Sequence, residues 1–221
     1  MKKQRSFFYK NGLCITFFVL MLCSLAGQIY TGWKEHNDFL MDYKVSPLSV
    51  IAYLRSGHFI QATFENWESE FFQMALFVIL TIFLRQKGSS ESKGCDESLY
   101  NPEDLLVKED SPYSVKKGGI YLAIYKHSLS ISLFFLFICS FFLHWYGSWV
   151  DFNERQSLDK KPLLEFISYL ENKKFWFESF QNWQSEFLSI FAIIFLSIFL
   201  RQIGSSQSKA VNAPHYKTGD N

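Results

Sequence analysis

The feature that most constrains this chain is an internal duplication. Residues 66–93 read NWESEFFQMALFVILTIFLRQKGSSESK and residues 182–209 read NWQSEFLSIFAIIFLSIFLRQIGSSQSK, with 16 of 28 positions identical. The same offset of 116 positions, without gaps, aligns Trp33 with Trp149. Solenoid repeats are much shorter, roughly 20–50 residues. The offset therefore indicates two structural halves rather than a stack of small units.

Each half begins with a long apolar segment. Residues 11–33 and 128–150 contain no Asp, Glu, Lys or Arg. A helix across a hydrocarbon core of ~30 Å needs about 20 such residues, so both segments predict membrane spans. A secretory signal cleaved after Ala26 is the alternative for the first segment. Its duplicate in mid-chain argues against that alternative, because no signal could act there.

The second apolar segment of each half is shorter. Only 14 residues separate Glu70 from Arg85, and 14 separate Glu186 from Arg201. At 1.5 Å per residue such a helix covers ~21 Å, which is less than the hydrocarbon thickness. We therefore expect these helices to begin further upstream and the arginines to reach toward the headgroups.

Charge asymmetry predicts the orientation of the four spans. One side of the membrane receives 14 Lys and Arg residues, including Lys2, Lys3 and Arg5, and the other side receives 8. The positive-inside rule then places both termini and the central loop in the cytoplasm. The two halves cross in the same sense, so we expect parallel repeats related by an axis along the membrane normal.

The predicted fold is thus an all-α membrane protein with four transmembrane helices, arranged as two tandem, parallel two-helix repeats. Residues 1–93 form the first repeat, 94–118 a polar cytoplasmic linker, 119–209 the second repeat and 210–221 a polar tail. Pro47 and Pro162 precede apolar residues at helical spacing, which predicts short amphipathic helices in the outer connectors. Gly57 is expected to end the first of them; ordinary exposed loops are the alternative.

Polar residues at helical spacing mark one face of each second span. We call these residues the polar stripes; both stripes should face another helix or a wet cavity, because lipid cannot satisfy such groups. The stripes comprise Asn66, Ser69, Glu70, Gln73 and Thr81 in the first half, and Asn182, Ser185, Glu186, Ser189 and Ser197 in the second.

Two roles are open for the polar stripes. They can hold helices together through hydrogen bonds across the interface, or they can form a binding or permeation site around Glu70 and Glu186. Trp67 and Trp183 are predicted to be interface anchors, together with Arg85 and Arg201.

The shared motif RQ-x-GSS-x-SK follows each second span. Gly88 and Gly204 are predicted to end the helices, since glycine with basic neighbours is a common helix stop. Contact with a lipid headgroup or a partner is the alternative. The glycine spacing does not match a phosphate-binding loop.

Other functional classes receive no support from the sequence. His58 lies near Glu65 and Glu68, but Lys174, Gln181 and Gln184 stand at the equivalent positions, so no metal site is expected. No catalytic or nucleotide motif is recognisable, and a net charge of +1 does not indicate nucleic-acid binding. We expect no cofactor and no enzymatic activity.

The stretches SGHFIQATFENWESEF and FWFESFQNWQSEF, the two IFLRQ-x-GSS endings and APHYKTG resemble an uncharacterised family of small bacterial integral membrane proteins, a domain-of-unknown-function family. The resemblance implies four spans in a bacterial inner membrane and transfers no activity. We expect a non-enzymatic membrane module that associates with lipid and with itself or other membrane proteins. The alternative is a small transporter or proton-linked channel with a pseudo-symmetric site at Glu70 and Glu186.

Overall fold

The computed structural model describes residues 6–219, so Lys2, Lys3 and Arg5, which contributed to the predicted orientation, lie outside the described residues. Within 6–219 the regular structure is helical, as expected. The helices are α1 Phe7–Asp42, α2 Val50–Tyr53, α3 Gly57–Phe83, α4 Tyr113–Lys117, α5 Gly119–Tyr125, α6 Ser128–Leu158 and α7 Lys173–Phe199, with single 3-10 turns at Pro102–Leu105 and Ser168–Glu171.

Among the described residues, three helices, α1, α6 and α7, are long and apolar enough to cross a membrane. The 36 residues of α1 correspond to about 54 Å of helix, well beyond a ~30 Å hydrocarbon core. α3 and α7 have 27 residues each and begin well upstream of their 14-residue uncharged segments, as expected. α3 is not among these three apolar helices, and Glu65, Glu68 and Glu70 fall in its first half.

The apolar helices expose their large side chains. Leu13, Phe17 and Phe135 are 65–76% exposed, whereas fully buried positions include His36 and Glu68. Water-soluble proteins rarely expose so large a continuous apolar surface. Together with the three long apolar helices, this distribution suggests a membrane protein.

The chain divides into two compact units, Met1–Thr63 with His144–Tyr169 and Phe64–Leu143 with Leu170–Asn221. The first unit contains a close helix contact at two glycines. A Cβ on Gly57 would lie 2.3 Å from the backbone nitrogen of Asp151, and one on Gly147 would lie 2.4 Å from that of Gln61. Small residues permit such backbone contact between helices.

The second unit is joined by aromatic contacts between helices. The ring centroid of Phe72 on α3 lies 4.8 Å from that of Phe137 on α6 and 4.7 Å from that of Trp183 on α7. Phe141 and Phe175 meet edge to face at 5.6 Å. These spacings are those at which aromatic pairs attract beyond their buried area.

The outer connectors are less helical than predicted. α2 begins at Val50 after a cap at Ser49, residues 161–165 are irregular, and neither Pro47 nor Pro162 opens a helix. Gly57 begins α3 instead of ending the preceding helix. The predicted short helix therefore exists in the first connector, as the four residues of α2, whereas the second connector has, among its described residues, only the 3-10 turn Ser168–Glu171.

Side chains of α1 explain the irregular backbone of the first connector. Asn37 Oδ1 accepts a hydrogen bond from Leu48 N at 2.7 Å, and Asn37 Nδ2 and Trp33 Nε1 donate to Leu48 O at 3.0 and 2.7 Å. Both polar backbone groups of Leu48, its N–H and its C=O, are thus satisfied without a helix.

The second connector makes the same three hydrogen bonds 116 positions later. Asn153 Oδ1 accepts from Leu164 N at 2.9 Å. Asn153 Nδ2 and Trp149 Nε1 donate to Leu164 O at 2.9 and 2.7 Å. The two connectors also share a left-handed lysine, Lys44 with φ 61° and Lys160 with φ 57°.

Candidate functional site

The α3 polar stripe is partly buried. Ser69 and Gln73 are buried, Thr81 is half-buried, and Asn66 and Glu70 are exposed. The hydroxyls bond within their own helix, since Ser69 Oγ donates to Asn66 O at 2.8 Å and Thr81 Oγ1 to Phe77 O at 2.9 Å. The hydroxyls of α3 therefore need no partner on another helix.

The α7 polar stripe is more open. Ser185 and Ser189 are exposed and donate to Asn182 O and Glu186 O, each at 2.8 Å. Asn182 is half-buried, and its amide donates to Glu178 O at 3.1 Å. Ser197 is the buried member, and its hydroxyl lies 2.9 Å from that of Ser89.

The two stripe carboxylates differ from the hydroxyls. Glu70 is exposed and Glu186 is half-buried, and the two are close enough to interact electrostatically. The backbone carbonyls that satisfy the hydroxyls cannot satisfy an ionised carboxylate, because both groups only accept hydrogen bonds. These two residues are therefore the chemically significant part of the stripes.

The two predicted anchor tryptophans have different surroundings. Trp67 is 38% exposed, and its ring meets Phe64 edge to face at 5.2 Å. Trp183 donates from Nε1 to Oε1 of the fully buried Glu68 at 3.0 Å. Trp183 is thus built into the interior of its unit, and Gln184 stands where a symmetric copy of Glu68 would be.

The two predicted anchor arginines fold back on their own helices. Nη1 of Arg85 donates to the carbonyls of Thr81 and Ile82 at 3.2 and 3.0 Å. Nη1 of Arg201 donates to those of Ser197 and Ile198 at 3.1 and 3.2 Å. Cations at these carbonyls stabilise helix C-termini.

The helices therefore end before the glycines that were predicted to stop them. α3 ends at Phe83 and α7 at Phe199. Gly88 and Gly204 instead have φ of 88° and 81° at the third position of turns closed by Ser89 N to Gln86 O and Ser205 N to Gln202 O, both 3.2 Å. Only glycine adopts such a φ readily.

The C-terminal segment lies on the loop after α3. The ammonium of Lys209, which is 3% exposed, donates to the carbonyls of Gly88, His215 and Lys217, the last two at 3.1 and 2.8 Å. Gly88 N donates to Thr218 Oγ1 at 2.9 Å. Burial lowers the pKa of Lys209, and the charge of Arg201 lowers it further.

A histidine cluster, formed by His36, His58, Tyr53, Glu35 and Glu154, lies in the first unit. The rings of His36 and His58 stack at 4.9 Å. His36 Nε2 is 3.7 Å from Glu154 Oε2, and His58 Nε2 is 3.4 Å from Glu35 Oε2. His36 is fully buried, and neither ring nitrogen makes a hydrogen bond among residues 6–219.

Tyr53 completes the histidine cluster. Its hydroxyl lies 3.1 Å from His58 Nδ1, and burial raises the pKa of Tyr53 to about 12, with the charge of Glu35 adding to the effect. A Cβ on Gly32 would lie 2.2 Å from this hydroxyl, so Tyr53 needs a glycine opposite it.

The equivalent tyrosine has another partner. Tyr169 is fully buried, and its hydroxyl lies 2.7 Å from Ser148 Oγ. Ser148 stands at the position of Gly32, and Phe152 at that of His36. Sequence reasoning missed the cluster because it searched for features shared by both halves, whereas His36 occurs in only one.

Comparison with known proteins identifies the family. The chain belongs to the family described as a domain of unknown function (DUF6766), which matches residues 4–220. No curated protein and no solved structure matches the chain.

Proposed function

We propose that this chain is a non-enzymatic, four-span protein of the bacterial inner membrane that assembles with itself through the polar faces of α3 and α7. Both termini and the central loop would lie in the cytoplasm. The observation that carries the proposal is the exposure of Glu70 on a helix whose remaining surface is largely apolar.

The fourth span is supported by the likeness of α3 to α7. Both helices have 27 residues and an uncharged segment of 14 residues between a glutamate and an arginine. α7 is long and apolar enough to cross a membrane. The charge count of 14 basic residues on one side and 8 on the other supports the orientation.

The tandem arrangement is supported by the hydrogen bonds that recur at the offset of 116. One contact also joins equivalent positions directly: the Tyr43 hydroxyl donates to Asp159 Oδ1 at 2.8 Å. Two residues related by a two-fold axis can touch only near that axis. The contact is thus consistent with parallel repeats about an axis along the membrane normal.

Assembly is supported by the carboxylate of Glu70, a polar-stripe group that lies exposed while the hydroxyls bond within their own helices. The hydroxyls of Ser69, Ser185 and Ser189 already donate to their own helices, but Glu70 is exposed. An exposed carboxylate facing lipid is costly, about 3 kcal/mol at mid-bilayer on insertion scales and less toward the interface, where the 14-residue segment places Glu70. A second copy that covers Glu70 with polar side chains would remove that cost.

The test is association of the full-length chain in liposomes, measured by energy transfer between labelled copies as the protein-to-lipid ratio varies. Hydrogen bonds between membrane helices contribute roughly 1 kcal/mol, so Glu70→Gln and Glu186→Gln should each weaken association about fivefold. The control Glu103→Gln, in the central loop, should leave it unchanged. Monomers at every ratio would contradict the proposal.

A proton-linked transporter is the second candidate, because Glu70 and Glu186 are near enough to interact. A carboxylate that is partly removed from water can take up and release a proton near neutral pH. In this case the same two variants would abolish proton flux into liposomes while association stays intact. The assembly role predicts weaker association and no flux to lose.

A further inference from the structure

A groove of about 400 Å³ lies between α3 and α7, and its walls are mainly apolar. It is lined by Leu80 of α3, by Leu84 just beyond that helix, and by Phe187 and Phe191 of α7. The loop after α3 closes one end with polar residues, among them Arg85 and Glu91. The volume is in the range of small-molecule sites, roughly 300–1,000 Å³.

The polar end of the groove carries one charge of each sign. Arg85 uses Nη1 for backbone carbonyls, whereas no hydrogen bond of its Nε or Nη2 occurs within residues 6–219. Those donors form the fork that recognises phosphate. Glu91 accepts from Ser90 Oγ at 3.3 Å and, with the Gln207 amide oriented to donate, from that nitrogen at 2.8 and 3.1 Å. These hydrogen bonds fix the position of its negative charge at the rim of the groove.

The loop after α7 offers neither group. Nη2 of Arg201 donates to the carbonyl of Ala213 at 3.1 Å, so its fork is engaged within the chain. Gln207 stands at the position of Glu91. The combination of a phosphate-binding fork with a carboxylate is therefore confined to the loop after α3.

We infer that the groove between α3 and α7 binds one acyl chain of a phosphatidylethanolamine-type phospholipid, with the lipid phosphate at Arg85 and its ammonium at Glu91. The inference rests on the proposed membrane location. A cationic and an anionic side chain at one rim match a zwitterionic headgroup. An anionic headgroup would meet the repulsion of Glu91, and a choline headgroup has no N–H to donate to it.

The experiment is native mass spectrometry of the delipidated full-length chain, titrated with phosphatidylethanolamine, phosphatidylcholine or phosphatidylglycerol of identical acyl chains. We expect one ethanolamine lipid to bind about tenfold more tightly than either of the others. Arg85→Gln should weaken that binding about tenfold. Glu91→Gln should lower affinity for the ethanolamine lipid to the level of the choline lipid.

Lys87→Gln is the matched control, because Lys87 is an exposed cation of the same loop that does not line the groove; it should bind all three lipids as the unmodified chain does. Thermal melting of each variant in the same detergent identifies any that fail to fold. If Arg85→Gln misfolds, the Glu91→Gln comparison decides alone.

Equal binding of the three lipids, or unchanged selectivity in Glu91→Gln, would overturn the inference and leave only non-specific surface lipid. No lipid retention by a chain that is dimeric in the same spectra would also overturn it and would indicate that a second copy fills the groove. Failure of the assembly proposal is distinguishable, because it appears as a monomer that still prefers the ethanolamine lipid.

Discussion

The loop after α3 and the loop after α7 have nearly the same sequence and the same local hydrogen bonds, but only the first is buried. Gln86 N donates to Ser92 Oγ and Gln202 N to Ser208 Oγ, each at 2.9 Å. Ser89 is 0% exposed, whereas its counterpart Ser205 is half-buried.

The first loop is buried from two sides. Ser197 of α7 accepts from Ser90 N at 3.3 Å, and the C-terminal segment covers Gly88. Local structure here follows local sequence, because turn, cap and glycine positions are identical. Burial depends on what else packs against the loop, and that partner is more than 100 residues away.

Removing residues 214–221 should have the largest effect on the difference between the two loops, because it exposes the loop after α3 and leaves the loop after α7 unchanged. The deletion removes Thr218 Oγ1 as acceptor of Gly88 N and Gly219 N as donor to Ser89 O. Amide exchange at Gly88, whose acceptor is removed, should rise roughly a hundredfold, equivalent to about 3 kcal/mol of local stability. Residues 204–206 of the same molecule are the internal control, and equal changes in both loops would contradict the assignment.

The two equivalent lysines, Lys93 and Lys209, provide a more specific test with a smaller expected effect on stability. Lys209→Met leaves three carbonyls without their donor and should cost about 2 kcal/mol in unfolding titrations with SDS in mixed micelles. Lys93 is exposed and donates to Leu99 O at 2.9 Å, so Lys93→Met should change stability by less than about 0.5 kcal/mol. Similar costs for both variants would show that burial of Lys209 is unimportant.

The smallest expected effect is at the outer ends of the halves, where Asp159 and Tyr43 are equivalent positions. Hydrogen bonds from Lys161 and then Tyr43 hold the pKa of Asp159 below its ordinary value of 3.8. The stability from the ionised carboxylate is therefore present above pH 3.8 and is lost as pH falls through the lower folded-state value.

Asp159→Asn should accordingly flatten the acid side of the melting-temperature profile below pH 3.8. The effect should be small, because the pair is exposed and screened by solvent. Asp110→Asn, in the central loop, serves as control. An unchanged acid limb in Asp159→Asn would rule out this contribution.

The sequence predicted the helical class, the long apolar helices and the upstream starts of α3 and α7, because apolar segments and their lengths are local properties. It failed in the connectors, where Asn37 and Asn153 hold a leucine peptide that the apolar pattern assigned to a helix. The signal was present, since both asparagines and both tryptophans recur at the offset, but the spacing of apolar residues does not report side-chain to backbone bonds.

The buried lysine and the histidine cluster could not be predicted for different reasons. Lys93 and Lys209 occupy identical motifs, so no local pattern distinguishes the exposed one from the buried one. His36 and His58 are replaced by Phe152 and Lys174 in the second half. A comparison between halves therefore discards them, although their contact with each other depends only on the first half.

The cover of the first loop also sets an order for biosynthesis. Lys209 lies 121 positions after Gly88, whose carbonyl it contacts. At about 5–20 residues per second, a ribosome takes roughly 6–24 s to add that stretch. Throughout that interval the amide and the carbonyl of Gly88 lack the partners that Thr218 and Lys209 later provide. A nascent chain that ends before Lys209 therefore exposes backbone groups that the finished protein buries.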